Sequence, residues 1–454
     1  MRNALIVLCF AVSLAVAQEE EGKPKPLEMN LGAGVVIIDS TTYYNLYTRP
    51  TYTSDWFGTE LYLDLLLSGE GQVRKQDLDW HNIVQNIRLG KVGSNFYPGF
   101  GSVQDRSSGF LGMIVSGYGN QYDENNRLSG LVADLGKGSW PLEISGMAGD
   151  CRFKSVSYAE ASLWFPMLFR RNEEDGGRQE ALPIIGATYA VDHNSDGVDT
   201  VDSPYDITEI YGAHLAQPFI ASNSSFLFLL EGAKINNHGQ GYVGAVLYEY
   251  KITSTDTVYY EYEDEYGDYQ YAGLEMVNTL FSWNVSAAMV RLGPGFEMGF
   301  FDSFYERDKL IYRDMGTTKA QVLDSLYPEE RYGTYVAGGL NIRNFDLGAS
   351  YFSDRDYGVD LGANASFYIL RSQGLPHFYI DGSFSKIRMA FDQVPGDIFS
   401  LDEHALVNAT IFYGINRLTG LILSFSWTYV YDSSTGGFVT QQRITPSIYM
   451  QQEF

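Results

Sequence analysis

The chain has 454 residues and carries 56 acidic against 31 basic side chains, a formal net charge of -25. Such a balance repels phosphate backbones, so nucleic acid is excluded as an expected partner. Its 34 Tyr, 27 Phe and 6 Trp coexist with a mean hydropathy of only -0.17, and past the first residues no run approaches the roughly 20 apolar residues of a transmembrane helix.

The first segment, MRNALIVLCFAVSLAVA, places Arg2 before an apolar run from Ala4 to Val16, with small residues at Ala15 and Ala17. This is the pattern of a secretory signal over 1–17, cleaved between Ala17 and Gln18. Cys9 follows bulky Leu8 too early in the run to act as a lipidation site. Cleavage leaves Cys151 as the lone cysteine, so rigidity must come from the sheet and not from an internal disulfide. Residues 18–28 read as a charged, Pro-containing periplasmic leader, and 29–454 as one domain.

Strand signals follow at about 29–38, 56–68, 83–92, 109–118, 128–135, 142–150, 155–165, 182–191, 205–216, 225–235, 240–251 and 270–302, the last holding more than one strand. The densest apolar stretch among them, SLWFPMLF at 162–169, is short and broken by Pro166. DHNSDGVDTVD at 192–202 sets Asp192, Asn194 and Asp196 at alternate positions before Gly197, and adds Asp199 and Asp202. Oxygen donors so spaced suit Ca2+, although Ser203 stands where an EF-hand has its bidentate Glu. An acidic solvated loop explains the same residues, because Asp, Asn and Gly also form turns. YYEYEDEYGDYQY at 259–271 reads as a hairpin rising from an aromatic girdle to a charged tip. An insertion at about 303–332 contains Thr318 and Gln321 at capping-box spacing ahead of a short helix. It is expected to decorate the outer rim, the alternative being a fold into the interior.

The last third alternates most clearly. In GVDLGANASFYI, Val359, Leu361, Ala363, Ala365, Phe367 and Ile369 oppose Asp360, Asn364 and Ser366. Residues 376–385 repeat the logic and reverse parity at Ile387, which points to a bulge near 385. Leu421, Leu423, Phe425, Trp427 and Tyr429 then oppose Ser424, Ser426 and Thr428, whereas Leu406 and Phe412 blur the pattern in 404–413. Successive strand side chains face opposite sides, so large apolar residues on one side and small polar ones on the other suit a sheet between hydrocarbon and water. The expected fold is all-β: a transmembrane antiparallel β-barrel of about 16–20 strands with short turns at one end and longer loops at the other. A secreted β-sandwich or propeller shares some of these traits.

The final segment, RITPSIYMQQEF, places Ile448 and Met450 on alternate positions before a terminal Phe454. It resembles the C-terminal recognition signal of Gram-negative outer-membrane β-barrel proteins of the porin-like kind. Gln452 departs from that pattern, and Pro446 cannot donate a ladder hydrogen bond in a closing strand. The resemblance implies a cell outer-membrane location, lipid and the outer-membrane assembly machinery as partners, and a channel for small hydrophilic solutes, as a monomer or homo-oligomer. Charges expected on the lumen face are Glu60, Asp64, Arg88, Asp346, Asp360 and Asp381, which would tune selectivity towards cations or merely hydrate the lumen and pair across strands. The competing function is a surface-binding or structural barrel whose acidic loops take calcium. No nucleophile motif marks a hydrolase, and His81, His193, His214, His238, His377 and His404 lack zinc spacing, so neither catalytic residues nor a resident cofactor is expected.

Overall fold

The computed structural model describes residues 27–452 except 39–40, 55, 74–82, 91–95, 104–105, 121–127, 137–140, 165–182, 195–206, 222, 264–268, 303–304, 355–357, 371–375, 390–399, 403–404, 416–418 and 433–435. Twenty antiparallel strands form one closed barrel. They begin with β1 (Leu27–Ile38), β2 (Thr41–Thr53), β3 (Phe57–Leu61, resuming as Leu63–Leu67), β4 (Val84–Leu89), β5 (Phe96–Gly101), β6 (Gly130–Leu135) and β7 (Leu142–Ala148). Then come β8 (Val156–Trp164), β9 (Ile184–Asp192), β10 (Thr208–Ala221), β11 (Ser224–Ile235), β12 (Gln240–Glu263) and β13 (Tyr269–Leu292). The last seven are β14 (Arg331–Ile342), β15 (Phe345–Asp354), β16 (Gly358–Leu370), β17 (Pro376–Met389), β18 (Ala405–Gly414), β19 (Thr419–Asp432) and β20 (Gly437–Gln452).

β1 closes the ring by pairing with β2 on one side and β20 on the other, Leu27 lying opposite both Tyr52 and Gln452. Closure gives the first and last wall strands a partner on each side, which is the condition for a sheet to stand in hydrocarbon. At this seam Pro446 acts as the sequence implies. The β1–β20 register runs to Gly32 opposite Ser447 and resumes at Val35 opposite Ile444, so the ladder skips the residues facing the missing proline N–H. Gly34 sits in the skip, where a Cβ would lie 2.4 Å from the Ile444 carbonyl oxygen and 2.9 Å from Thr445 Cα.

Parity sorts the faces as the C-terminal sequence indicates. Phe345, Leu347 and Tyr351 of β15, Ile380 of β17 and Leu421 and Leu423 of β19 are exposed on the outside, and the intervening residues point to the lumen. The parity reversal expected near 385 appears as a register shift, Leu361 pairing with Lys386 but Val359 with Met389. β2 and β5 have no counterpart among the expected strands. In β5, FYPGFG, Pro98 and two glycines conceal the strand. The opposite error is 109–118: it is an inward loop holding only the two-residue strand Val115–Ser116, which pairs in parallel with Phe301–Asp302. Apolar Leu111, Met113, Ile114 and Val115 resemble a strand because they are buried, not because they belong to the wall.

β12 and β13 continue as a two-stranded ribbon after their neighbours end. β11 last pairs at Tyr250 and β14 at Phe281, while the β12–β13 ladder runs to Glu263 opposite Tyr269 after a shift at Ile252/Thr253. The hairpin expected at 259–271 is therefore present, its tip lying outside the described residues. By strand direction it extends on the same side as residues 27 and 452, whereas the described parts of the connections 68–83, 102–129, 193–207, 293–330 and 390–404 lie on the opposite side.

Candidate functional site: the lumen and its constriction

Two of those long connections turn inward. The described parts of 102–120 and the segment 293–330 with its helices α1 (Tyr305–Asp314) and α2 (Lys319–Leu326) pack into one buried cluster. Met113, Ile114, Val115, Tyr118, Phe296, Phe300, Phe301 and Tyr305 there meet Val156, Ile210, Leu229, Val243 and Val290 of the wall. The rim position expected for 303–332 is thus overturned: the insertion fills one side of the lumen, because its apolar residues find a complementary apolar patch on the inner faces of β8–β13. α2 begins at Thr318 with the capping box that the sequence indicates, Thr318 and Gln321 each accepting the other's backbone N–H. α1 reaches across towards β19 and narrows the passage between the two walls.

Charged anchors fix the inward segments. Asp192, fully buried at the end of β9, accepts from Lys309 Nζ at 2.7 Å and from Tyr305 OH at 2.9 Å, and Glu306 lies 3.6 Å from the same ammonium. Burial alone would lower the Lys309 pKa, but Asp192 and Glu306 outweigh it and hold the pKa above its ordinary value. Tyr118 donates to Glu306 at 2.6 Å; its burial first, and that carboxylate second, push its pKa well up. Glu231 of β11 accepts the backbone N–H groups of Leu111 and Met113, each at 3.2 Å, and Glu160 of β8 that of Gly109 at 2.7 Å. Gly109 has φ +66°, and a Cβ there would press on the Glu231 carboxylate, so glycine is required for this docking. Lys319, almost wholly enclosed, donates to the Phe300 carbonyl and pairs with Glu297, both at 2.7 Å.

Of the charges expected on the lumen face, most have a polar partner. Glu60 bonds Arg49 across the β2–β3 ladder, and Asp64 is held by Arg443, by Asn45 at 3.3 Å and by Tyr62 at 3.2 Å. Arg88 turns to the carbonyls of Gly90 (2.5 Å) and Ser54 (3.5 Å). Asp346 accepts from Asn341 and from Ser366, the latter at 3.3 Å, and Asp381 lies opposite that same Ser366 in the next ladder. Asp360 faces Phe352 across β15–β16. The structure thus gathers Glu60 and Asp64 on one stretch of wall and Asp346 and Asp381 on another. Residues not anticipated from sequence are Arg49 and Arg443, which neutralise two of these carboxylates, and Glu160, Glu231 and Lys309, which hold the constriction. Glu231 interrupts the apolar run FLFLLEGA of β11, a signal that such a carboxylate has a buried partner.

Of the calcium pattern, Asp192 is committed to Lys309 and Tyr305, and its Oδ1 accepts the Asn194 N–H at 2.9 Å. Asp196, Asp199 and Asp202 lie outside the described residues, and among the described residues no cluster of three or more His, Cys, Asp or Glu has the geometry to hold a metal. In the C-terminal segment Ile448 is exposed on the outer face and Met450 pairs with Met29 and Thr419, while Phe454 lies outside the described residues.

A closed barrel with exposed Leu, Ile, Phe and Tyr outside and, along β15–β18, polar or charged residues inside is a transmembrane β-barrel of the cell outer membrane. The chain matches no known protein family and no curated protein. It is similar to solved structures of Pseudomonas aeruginosa outer-membrane proteins: OprD at 11% identity and TM-score 0.36, covering 96% of both chains, and OccK8 (OprE) at 7% and 0.37, covering 95% of this chain and 98% of that one. A third, OccK2 (OpdF) in complex with glucuronate, has 8% identity and TM-score 0.31, with 94% and 96% covered. At those scores the strand pairings, not the likeness, define the fold.

Proposed function

We propose that the barrel is a passive channel for small hydrophilic solutes that favours cations. The observation that carries this reading is the inner wall opposite the inserted segments: Asn364, Asp381, Ser383 and Asn408 point inward and are exposed. Small polar side chains left open on a lumen face hydrate a solute path, while the inserted segments limit its width. The preference follows from charge. Asp346, Asp360 and Asp381 share this wall, whereas Arg443 is paired with Asp64 and Lys386 with Asp402 at 2.7 Å, in a chain of net charge -25. The outer belt takes acyl chains as its partner.

Reconstitution into planar bilayers under a KCl gradient tests both parts. Discrete conductance steps and a cation-selective reversal potential are expected, with selectivity reduced in Asp346→Asn/Asp381→Asn. Correctly folded, inserted protein that gives no steps refutes the channel, and anion selectivity refutes the preference alone.

A further inference from the structure

On the three adjacent strands β16, β17 and β18, Tyr368, Tyr379 and Phe412 occupy one lateral row, since Tyr368 pairs with Tyr379 and Tyr379 with Phe412. The row faces the lumen: the neighbours Phe367, Ile380, Ile411 and Tyr413 are the exposed outer residues of the same strands. An aromatic girdle explains Phe367 and Tyr413, which face lipid, but gives no reason for rings on the inner face, where the same strands otherwise carry Asn, Ser, Thr and Asp. These rings are also seated. Tyr379 and Phe412 stack at 5.6 Å between centroids and 22° between planes, and Tyr449 of β20 meets Phe412 edge-on at 6.1 Å. Gly420 makes room for this, because a Cβ there would come within 2.5 Å of the Phe412 ring. Tyr368 is fixed through its hydroxyl to the Arg343 carbonyl.

We propose that this row is a stacking subsite for saccharides, an inference that rests on the channel reading and names its solute class. A pyranose presents a patch of C–H bonds on one face and hydroxyls around its edge. The patch suits an aromatic face, and the hydroxyls need donors and acceptors beside it. The adjoining row supplies them in Ser366, Asp381 and Thr410, one register step from the rings. A recess of about 470 Å³ continues the polar surface along β13–β16, with Asn284, Asn341, Asp346 and Asn364 in its lining, within the size range of small-molecule sites. Amides and hydroxyls with two carboxylates fit a neutral sugar and disfavour a sugar acid.

The test uses the full-length protein in planar bilayers with maltotriose as probe, paired with titration calorimetry of the same protein in detergent. Current interruptions that rise with maltotriose concentration are expected. Tyr379→Ala/Phe412→Ala weakens the sugar affinity by at least about tenfold, on the scale of one lost aromatic contact, with ion conductance kept or raised. Tyr379→Phe and Phe412→Tyr keep the rings and keep the block. An inserted, conducting protein that maltotriose neither blocks nor binds overturns the subsite while leaving the channel standing. Unchanged block in the double alanine variant also overturns it, as does equal block by free arginine that depends on the same rings. A protein that binds maltotriose in the calorimeter through these rings yet never conducts refutes the channel and retains the subsite.

Discussion

Lys309→Met is the sharpest perturbation of the constriction. Methionine keeps most of the length of the side chain and removes its charge, so the wall of β9 is left with Asp192 at 0% exposure, its one remaining side-chain donor among the described residues being the neutral Tyr305 hydroxyl at 2.9 Å. Glu306, 3.6 Å from the lost ammonium, loses its counter-charge in the same buried cluster. Removing one partner of a buried pair costs about 3–5 kcal/mol, and two carboxylates stranded together place this case near the upper figure. That energy does not oppose the barrel, whose ladder is untouched; it opposes docking of α1. At 1.4 kcal/mol per tenfold, the docked state loses roughly 10³–10⁴ in relative population. The expected result is larger, noisier single-channel conductance in planar bilayers, together with new protease sites in 293–330 and an unchanged barrel melt. The double variant Asp192→Asn/Lys309→Met removes both charges and should recover much of the docking, because replacing a buried pair by neutral groups is often close to neutral. If Lys309→Met conducts and resists proteolysis as the parent does, the ion pair does not hold the constriction and the reasoning fails.

Three further outcomes follow from single features. Gly34→Val should block closure, because its Cβ meets the Ile444 carbonyl at the β1–β20 seam; the measurement is the folded fraction by gel mobility before and after heating, and a folded yield equal to the parent contradicts the seam geometry. Cys151, half-buried in the connection between β7 and β8, lies opposite the chain ends. An impermeant maleimide should therefore label it on intact cells, and the labelling rate should still climb above pH 9.0, because burial first and Asp150 second raise this thiol above that ordinary value; no labelling refutes the assigned side. Lys309 is the alkaline limit of the constriction. Its pKa in the folded state is raised above 10.5, so its stabilising contribution is complete below that value and is lost as pH rises through the folded pKa; conductance should stay constant up to pH 10.5 and increase only above it, and Lys309→Met should show no such step.

The barrel was legible where one face meets lipid and the other water. In β16 and β19 those two solvents force Leu, Ile and Phe to alternate with Ser, Asn and Asp, and the face each residue takes is readable from the residues alone. β2 and β5 were not legible. Tyr43, Tyr47 and Arg49 on the inner side of β2 are as large as Tyr44 and Leu46 outside, so parity does not separate them, and Pro98 with two glycines hides β5. The carboxylates Glu60, Asp64, Asp346 and Asp381 could be placed on the lumen face by parity. Their partners could not, because the contact between Asp64 and Arg443 joins β3 to β20 across the seam and no local pattern encodes it.

The middle of the chain resisted the same method for a physical reason, and that reason is the constriction. Inward residues of β10–β13 include Ile210, Leu229, Val243 and Val290, all nearly inaccessible, while their outward neighbours Tyr211, Leu230, Tyr242 and Met289 are exposed. Both faces are apolar because neither meets water: lipid covers one, and segments 102–120 and 293–330 cover the other. A barrel strand that loses its polar parity is therefore evidence that something apolar stands inside it. The missing partner can be sought among the chain's own long connections, here FLGMIVSGY and GFEMGFF, whose buried Met113, Ile114, Phe296 and Phe300 supply the matching surface. Polar parity returns from β15 onward, and the position of that change along the sequence marks where the filled half of the lumen gives way to the open one.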